Sequence, residues 1–214
     1  GLYWVDFTVL EVFPPRERRD VARTRPGEPP LIGVKIYERP DNLEELFAEW
    51  KSLGIGTAFT SESLAGDAEF RRGAADRGID LFVIAPVFFN PDALARDPDL
   101  YAVTADGARA RDDWVQFVCP SRPEYRSRRT REIVDMVRRL RPQGLSLDFI
   151  RHFVFWEKVH PSTLHGDIPN ACFCRYCVSA FSAKARIELP ESLTDTRATA
   201  AWILEHHAAE WTEW

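Results

Sequence analysis

The sequence predicts an α/β fold: a partial (β/α)8 TIM barrel, about the first four to five βα units, with parallel strands. Three observations predict it. From Leu31 onward, short β-branched or aromatic runs alternate with segments of helical periodicity. Residues 80–89 form a near-continuous apolar run, the pattern of a parallel strand buried on both faces. The two longest loops follow the third and fourth strands of this rhythm, the end at which a barrel carries its active-site loops.

Taken in order, residues 2–13 are rich in β-branched and aromatic residues and read as a strand, and residues 14–30 as a Pro-rich linker. That divides the chain into an N-terminal strand and linker (1–30) and a barrel portion (31–214). Residues 33–37 read as the first strand of the rhythm. Asp41 and Glu44 then have the spacing of a capping box, and Leu43, Leu46, Phe47, Trp50 and Leu53 share a helical face that ends at Gly54. Residues 56–60 give the second strand and 67–76 the second helix, stopped by Gly78. After the apolar run comes a long excursion over residues 90–120. A helix then opens at Ser121-x-Pro123-Glu124, with Ile133, Val134, Met136, Val137 and Leu140 as its core face. Residues 144–150 are the fourth strand and 151–171 a second long loop. Helices near 177–185 and from Thr196 complete the chain.

Composition narrows the function classes. The 214 residues are 45% hydrophobic, 29% charged and 12% aromatic, which excludes a disordered or fibrous chain. No apolar run approaches the roughly 20 residues that cross a bilayer, so no membrane partner is expected. A net charge of -5 argues against nucleic acid, because phosphate binding needs clustered Lys and Arg in surplus. The basic stretch over residues 122–141 is interrupted by Glu124, Glu132 and Asp135 and reads as a solvated helix face. The chain begins at Gly1 and its last helical pattern runs to Trp214 without a terminator, so it reads as part of a longer protein. Reduced thiols suit a cytoplasm, although compartment and oligomeric state stay open. G-x-G-x-x-G after the first strand, G-x-x-x-x-G-K-[ST], H-E-x-x-H and G-x-S-x-G are all absent from the sequence.

Three of the four cysteines fall in Cys172-x-Cys174-x-x-Cys177, and the fourth is Cys119. Four thiolates complete a tetrahedral zinc shell with no open position, so such a zinc would be structural and not catalytic. Both segments lie in loops after neighbouring strands, which would let Cys119 join the cluster. The other reading is four unrelated reduced thiols.

A distant Cys followed by C-x-C-x-x-C, just after the fourth strand of a barrel, resembles the structural zinc site of family 42 β-galactosidases. The sequence from Cys172 to Phe181 is also similar to that of uncharacterised glycoside-hydrolase-like barrels, whose fourth strand carries Gly-x-x-Leu-Asp-x-Ile-Arg, as residues 144–151 do here. The resemblance covers residues 31–214. It implies a glycoside hydrolase acting on the O-glycosidic bonds of an oligo- or polysaccharide. One departure matters: family 42 enzymes end the fourth strand in Asn-Glu, with the Glu as general acid, where this chain has Asp148 followed by Arg151 and His152. β-Galactosidase specificity is therefore not carried over.

Glycoside hydrolysis needs two carboxyl groups about 5 to 10 Å apart. Asp148, near the carboxyl end of an apolar strand, is the first candidate, since a carboxylate there is costly unless paired or used. Arg151 or His152 would hold it ionised as a nucleophile or transition-state stabiliser, or the Asp–Arg pair would merely order the loop. Glu157, beside Trp156, is the candidate general acid, with a solvated loop residue or a carboxylate beyond Trp214 as alternatives. Glu38 and Glu62, after the first and second strands, are candidate substrate-hydroxyl ligands. Asp113, Trp114 and Trp156 offer the pairing of acid and aromatic ring that suits sugar hydroxyls and C–H faces. A non-catalytic, zinc-stabilised carbohydrate-binding barrel is the alternative function.

Overall fold

The computed structural model describes residues 32–214; the strand and linker expected over residues 1–30 lie outside them. Four strands, β1 (Gly33–Ile36), β2 (Thr57–Thr60), β3 (Asp80–Pro86) and β6 (Gly144–Asp148), form one parallel sheet in the order β1-β2-β3-β6. Each strand thus lies beside its predecessor in the sheet. Helices α1 (Leu43–Ser52), α2 (Glu62–Gly66), α3 (Ala68–Ala75) and α5 (Pro123–Leu140) make the crossovers.

The alternation of side chains along the strands separates two faces. Ala58 and Leu81 pack on Leu43, Phe47, Trp50 and Phe70 of α1 and α3, while Val83, Ala85 and Leu145 pack on Met136 and Leu140 of α5. The opposite face carries the row Lys35, Phe59, Phe82 and Gly144, then Ser146, then Asp148 in register with Pro86. This is the face that lines a barrel interior. Gly144 is fixed by packing: a Cβ there would fall inside the Phe82 ring. Leu147 belongs to the helix side but is 48% exposed, because β6 has no further strand or helix beyond it among the described residues.

Local chemistry adjusts several expected boundaries. Asn42, not Asp41, caps α1, accepting the Glu45 N–H at 3.1 Å. Leu53 falls just past the helix end and is exposed, and Gly54 takes the left-handed backbone there, with φ +71°. Ser61 caps the additional short helix α2, and Asp67 caps α3 through the Glu69 and Phe70 N–H groups. α5 has no side-chain cap and relies on Pro123 at its start, so the box expected from Ser121 and Glu124 does not form. Val134 lies on the solvent side of α5.

The excursion after β3 is not a bare loop. It holds α4 (Pro91–Arg96) and a hairpin of β4 (Arg111–Asp112) and β5 (Val115–Gln116), turning at Asp113 with φ +53°. The hairpin's Ala110, Val115 and Phe117 form a second core with Phe153, Phe155 and three of the cysteines downstream of β6. Helices α6 (Arg175–Ala185), α7 (Thr196–His206) and α8 (Ala208–Glu213) close over it, with the Phe173 and Trp211 rings stacked 4.7 Å apart.

Candidate functional site

Cys119, Cys172, Cys174 and Cys177 are buried, unbridged, and bring their sulfurs within 4.8 Å of one another. Cys119 Sγ lies 3.4 Å from Cys177 Sγ and 3.7 Å from Cys174 Sγ. A disulfide would need about 2.05 Å, whereas four thiolates around one tetrahedral ion at about 2.3 Å stand about 3.8 Å apart. The donor set fits a metal ion. Cys174 caps α6 and Cys177 lies in its first turn, so the helix dipole favours thiolate there. The Val103 N–H reaches Cys172 Sγ at 3.3 Å and the Cys177 N–H reaches Cys174 Sγ at 3.5 Å, the supporting hydrogen bonds that metal thiolates take. Hydrogen bonds from Cys119, Cys172 and Cys177 drive the Cys174 thiol far below the usual range, while those with Cys119 and Cys174 push Cys172 up.

Asp148 ends β6 on the interior face, and its Oδ1 accepts the Phe149 N–H at 2.8 Å. Phe149 is left-handed at φ +50°, a conformation costing a non-glycine residue on the order of 1 kcal/mol. Its ring stacks on Phe89 at 4.9 Å and meets the edge of Phe117 and Trp114. Trp114, held edge-on by Phe89, Phe149 and Phe155, is 55% exposed. Asp148 is therefore followed by an aromatic surface built from the segment after β3, the hairpin and the loop after β6. Strand periodicity hides this cluster, because Phe89, Phe149 and Phe155 read equally well as core.

The remaining candidates scatter around this point. Arg151 does not pair with Asp148; its guanidinium lies over the Phe117 and Phe149 rings, bonds the Val154 carbonyl, and sits 3.5 Å from Glu157. The Glu157 side chain is 62% exposed. His152 and Glu38 are exposed. Glu62 lies in the helix layer, where it meets Arg139 of α5 at 2.5 Å. Asp113 is 3.9 Å from the Lys158 ammonium, which Asp112 grips at 2.7 Å. That hydrogen bond to Asp112 holds the Lys158 pKa above its ordinary value. Lys158, unremarked in the sequence, ties the hairpin tip to the loop carrying Trp156 and Glu157.

No protein-family model and no curated protein matches the chain. Among solved structures it is similar to a β-galactosidase from the Antarctic haloarchaeon Halorubrum lacusprofundi, with a TM-score of 0.52 and 18% identity, over 72% of this chain and 24% of that one. It is also similar to a β-galactosidase from the psychrophilic Marinomonas ef1, with a TM-score of 0.54 and 16% identity, over 86% of this chain and 29% of that one. The fold is part of a TIM barrel. At such identities the likeness speaks to architecture alone, and the chain spans less than a third of either structure's length. Among the described residues, no helix is long and apolar enough to cross a membrane.

Proposed function

We propose that the chain is the N-terminal part of a glycoside-hydrolase-like barrel that cleaves O-glycosidic bonds of a carbohydrate, with a link to family 42 through its cysteine site. The observation that carries this is Asp148: a carboxylate at the C-terminal end of an interior-facing strand, bonded to the N–H of Phe149, whose ring meets the exposed Trp114. Asp148 serves as nucleophile or as stabiliser of the oxocarbenium-like transition state. Its partner carboxylate is Glu157, which Arg151 orients, or a residue of the remaining barrel. Trp114 and Trp156 take sugar C–H faces, and Asp113 and His152 take hydroxyls, with Glu38 at the first strand. Of the proposed ligands, Glu62 is the one already engaged in an ion pair of the helix layer.

Cys119, Cys172, Cys174 and Cys177 would hold a structural zinc. Four sulfurs leave the ion no open position, so its contribution is to tie the hairpin to the loop after β6. The exposed Glu157, paired with Arg151 and not enclosed in an apolar pocket, favours a second reading: a carbohydrate-binding barrel without turnover.

The deciding experiment measures reducing-sugar release from a broad glycan panel by the full-length protein and by Asp148→Asn. Turnover lost in the variant, with folding intact, is the expected result. A well-folded wild type that is inert across the panel would overturn hydrolysis and leave the binding reading.

A further inference from the structure

A groove open to solvent lies between the β4–β5 hairpin and residues 166–170, with a volume of about 1180 Å³. Pockets for compact ligands hold roughly 300–1,000 Å³, so this groove has room for more than a disaccharide-sized molecule. Its lining combines Trp156 and Phe153 with Arg109, Asp112, Asp167 and Asn170. Trp156 is 52% exposed. Among the described residues, no carboxylate pairs with Arg109, and the Asp167 and Asn170 side chains take part in no hydrogen bond. Arg109 lies over the Tyr101 ring and Asp112 holds Lys158, which leaves the Asp167 carboxylate and the Asn170 amide beside an exposed indole, a combination that suits a ligand with many hydroxyls and apolar C–H faces.

The hairpin tip and the loop after β6 relate the groove to the aromatic rings that follow Asp148: Trp114 meets both Phe149 and Phe155, and Phe155 directly precedes Trp156 of the groove. Asp112 lines it and lies two residues before Trp114, whose ring meets Phe149. Its two walls are also joined to each other and to the cysteine cluster. The Ala105 N–H bonds the Asn170 carbonyl at 2.9 Å, the Phe173 N–H bonds the Val103 carbonyl at 2.8 Å, and the Val103 N–H bonds Cys172 Sγ at 3.3 Å. A groove held this way is shaped before ligand arrives, which lowers the ordering cost of binding.

We infer that this groove is an extended carbohydrate subsite, and that the ligand is an oligosaccharide chain of several units running from Asp148 past Trp114 and Asp112 to Asn170. The inference rests on the reading of Asp148 as part of the carbohydrate site. A short sugar would occupy the Asp148 end alone. A longer one would add the Trp156 ring and the Arg109, Asp167 and Asn170 side chains.

The test is calorimetric titration of full-length Asp148→Asn protein with two-unit and six-unit members of the cello-, xylo-, manno- and galacto-oligosaccharide series. In one series the six-unit sugar should bind roughly tenfold or more tightly than the two-unit sugar. Combining Arg109→Ala with Trp156→Ala should bring the two affinities within about twofold of each other. Asp167→Ala, on an exposed loop, should narrow the gap in the same direction and guards against misfolding of the double variant. Equal affinity for short and long sugars overturns the groove while the Asp148 reading stands. A length preference that survives both variants also overturns it. Failure of every sugar to bind, at either length, removes the carbohydrate reading together with the groove.

Discussion

The Asp148 carboxylate accepts the N–H of Phe149, its own neighbour, at 2.8 Å, where Phe149 holds a left-handed backbone at φ +50°. The bond helps turn the chain out of β6 and aims the Phe149 ring at Phe89 and Trp114. One side chain thus shapes the aromatic surface that follows it.

Asp148→Ala removes that acceptor, and Asp148→Asn keeps an oxygen in its place. The alanine variant should be less stable by about 1 kcal/mol and the asparagine variant by less, as read from urea unfolding. Both should lower glycan turnover by on the order of 10³-fold, because neither supplies a carboxylate. Wild-type turnover in either variant would remove Asp148 from the chemistry.

The cysteine cluster predicts about one zinc per chain in protein purified without chelator. Cys119→Ser should lower both metal content and melting temperature, since its sulfur lies against Cys174 and Cys177 at the junction of two segments. Metal analysis and a thermal melt check both. Four thiols that titrate freely in native protein, with no metal found, would dismiss the site.

Gly144 lies under the Phe82 ring, and a methyl group there has nowhere to go. Gly144→Ala should cost about 2 kcal/mol by overpacking. Adding Phe82→Leu should recover part of that loss, a coupling that a double-mutant cycle in denaturant measures.

Asp67 caps α3 and meets Arg39 at 2.6 Å. The Phe70 N–H and then the Arg39 guanidinium hold its carboxyl below the usual range. A depressed native pKa gives stability that is present above the unfolded value of about 3.9 and is lost as pH falls through the native one. Asp67→Asn keeps a cap oxygen but not the charge. It should therefore melt below wild type at neutral pH, with the gap closing below about pH 4.

Much of the architecture was legible from spacing. The helical face around Phe47, the turns at Gly54 and Gly78, and the buried run over residues 80–86 each depend on residues a few positions apart. The hairpin at Asp113 was not legible, because two-residue strands leave too short an alternation to read. The C-x-C-x-x-C spacing announced a metal-type cluster, and the position of Cys119 after a neighbouring strand allowed it to join.

Pairing of charges was the least legible. Arg151 is three residues from Asp148, yet it faces Glu157 and the Phe149 ring, because the left-handed turn at Phe149 carries the loop away from the strand axis. Glu62 follows a strand end, but the short helix capped by Ser61 swings it toward Arg139. Local backbone turns of this kind are set by packing and not by residue type.

By itself, then, the sequence determined the parallel βα order, the buried face of α1 from Leu43 to Trp50 and the thiol set, since periodicity and turn residues act over a few positions. The tertiary structure alone decided the aromatic surface at Asp148, the partners of Arg151 and Glu62, and the groove between hairpin and loop. Those features need segments dozens of residues apart to approach one another. Which of them meet depends on how the whole core closes, a long-range outcome that no local spacing encodes.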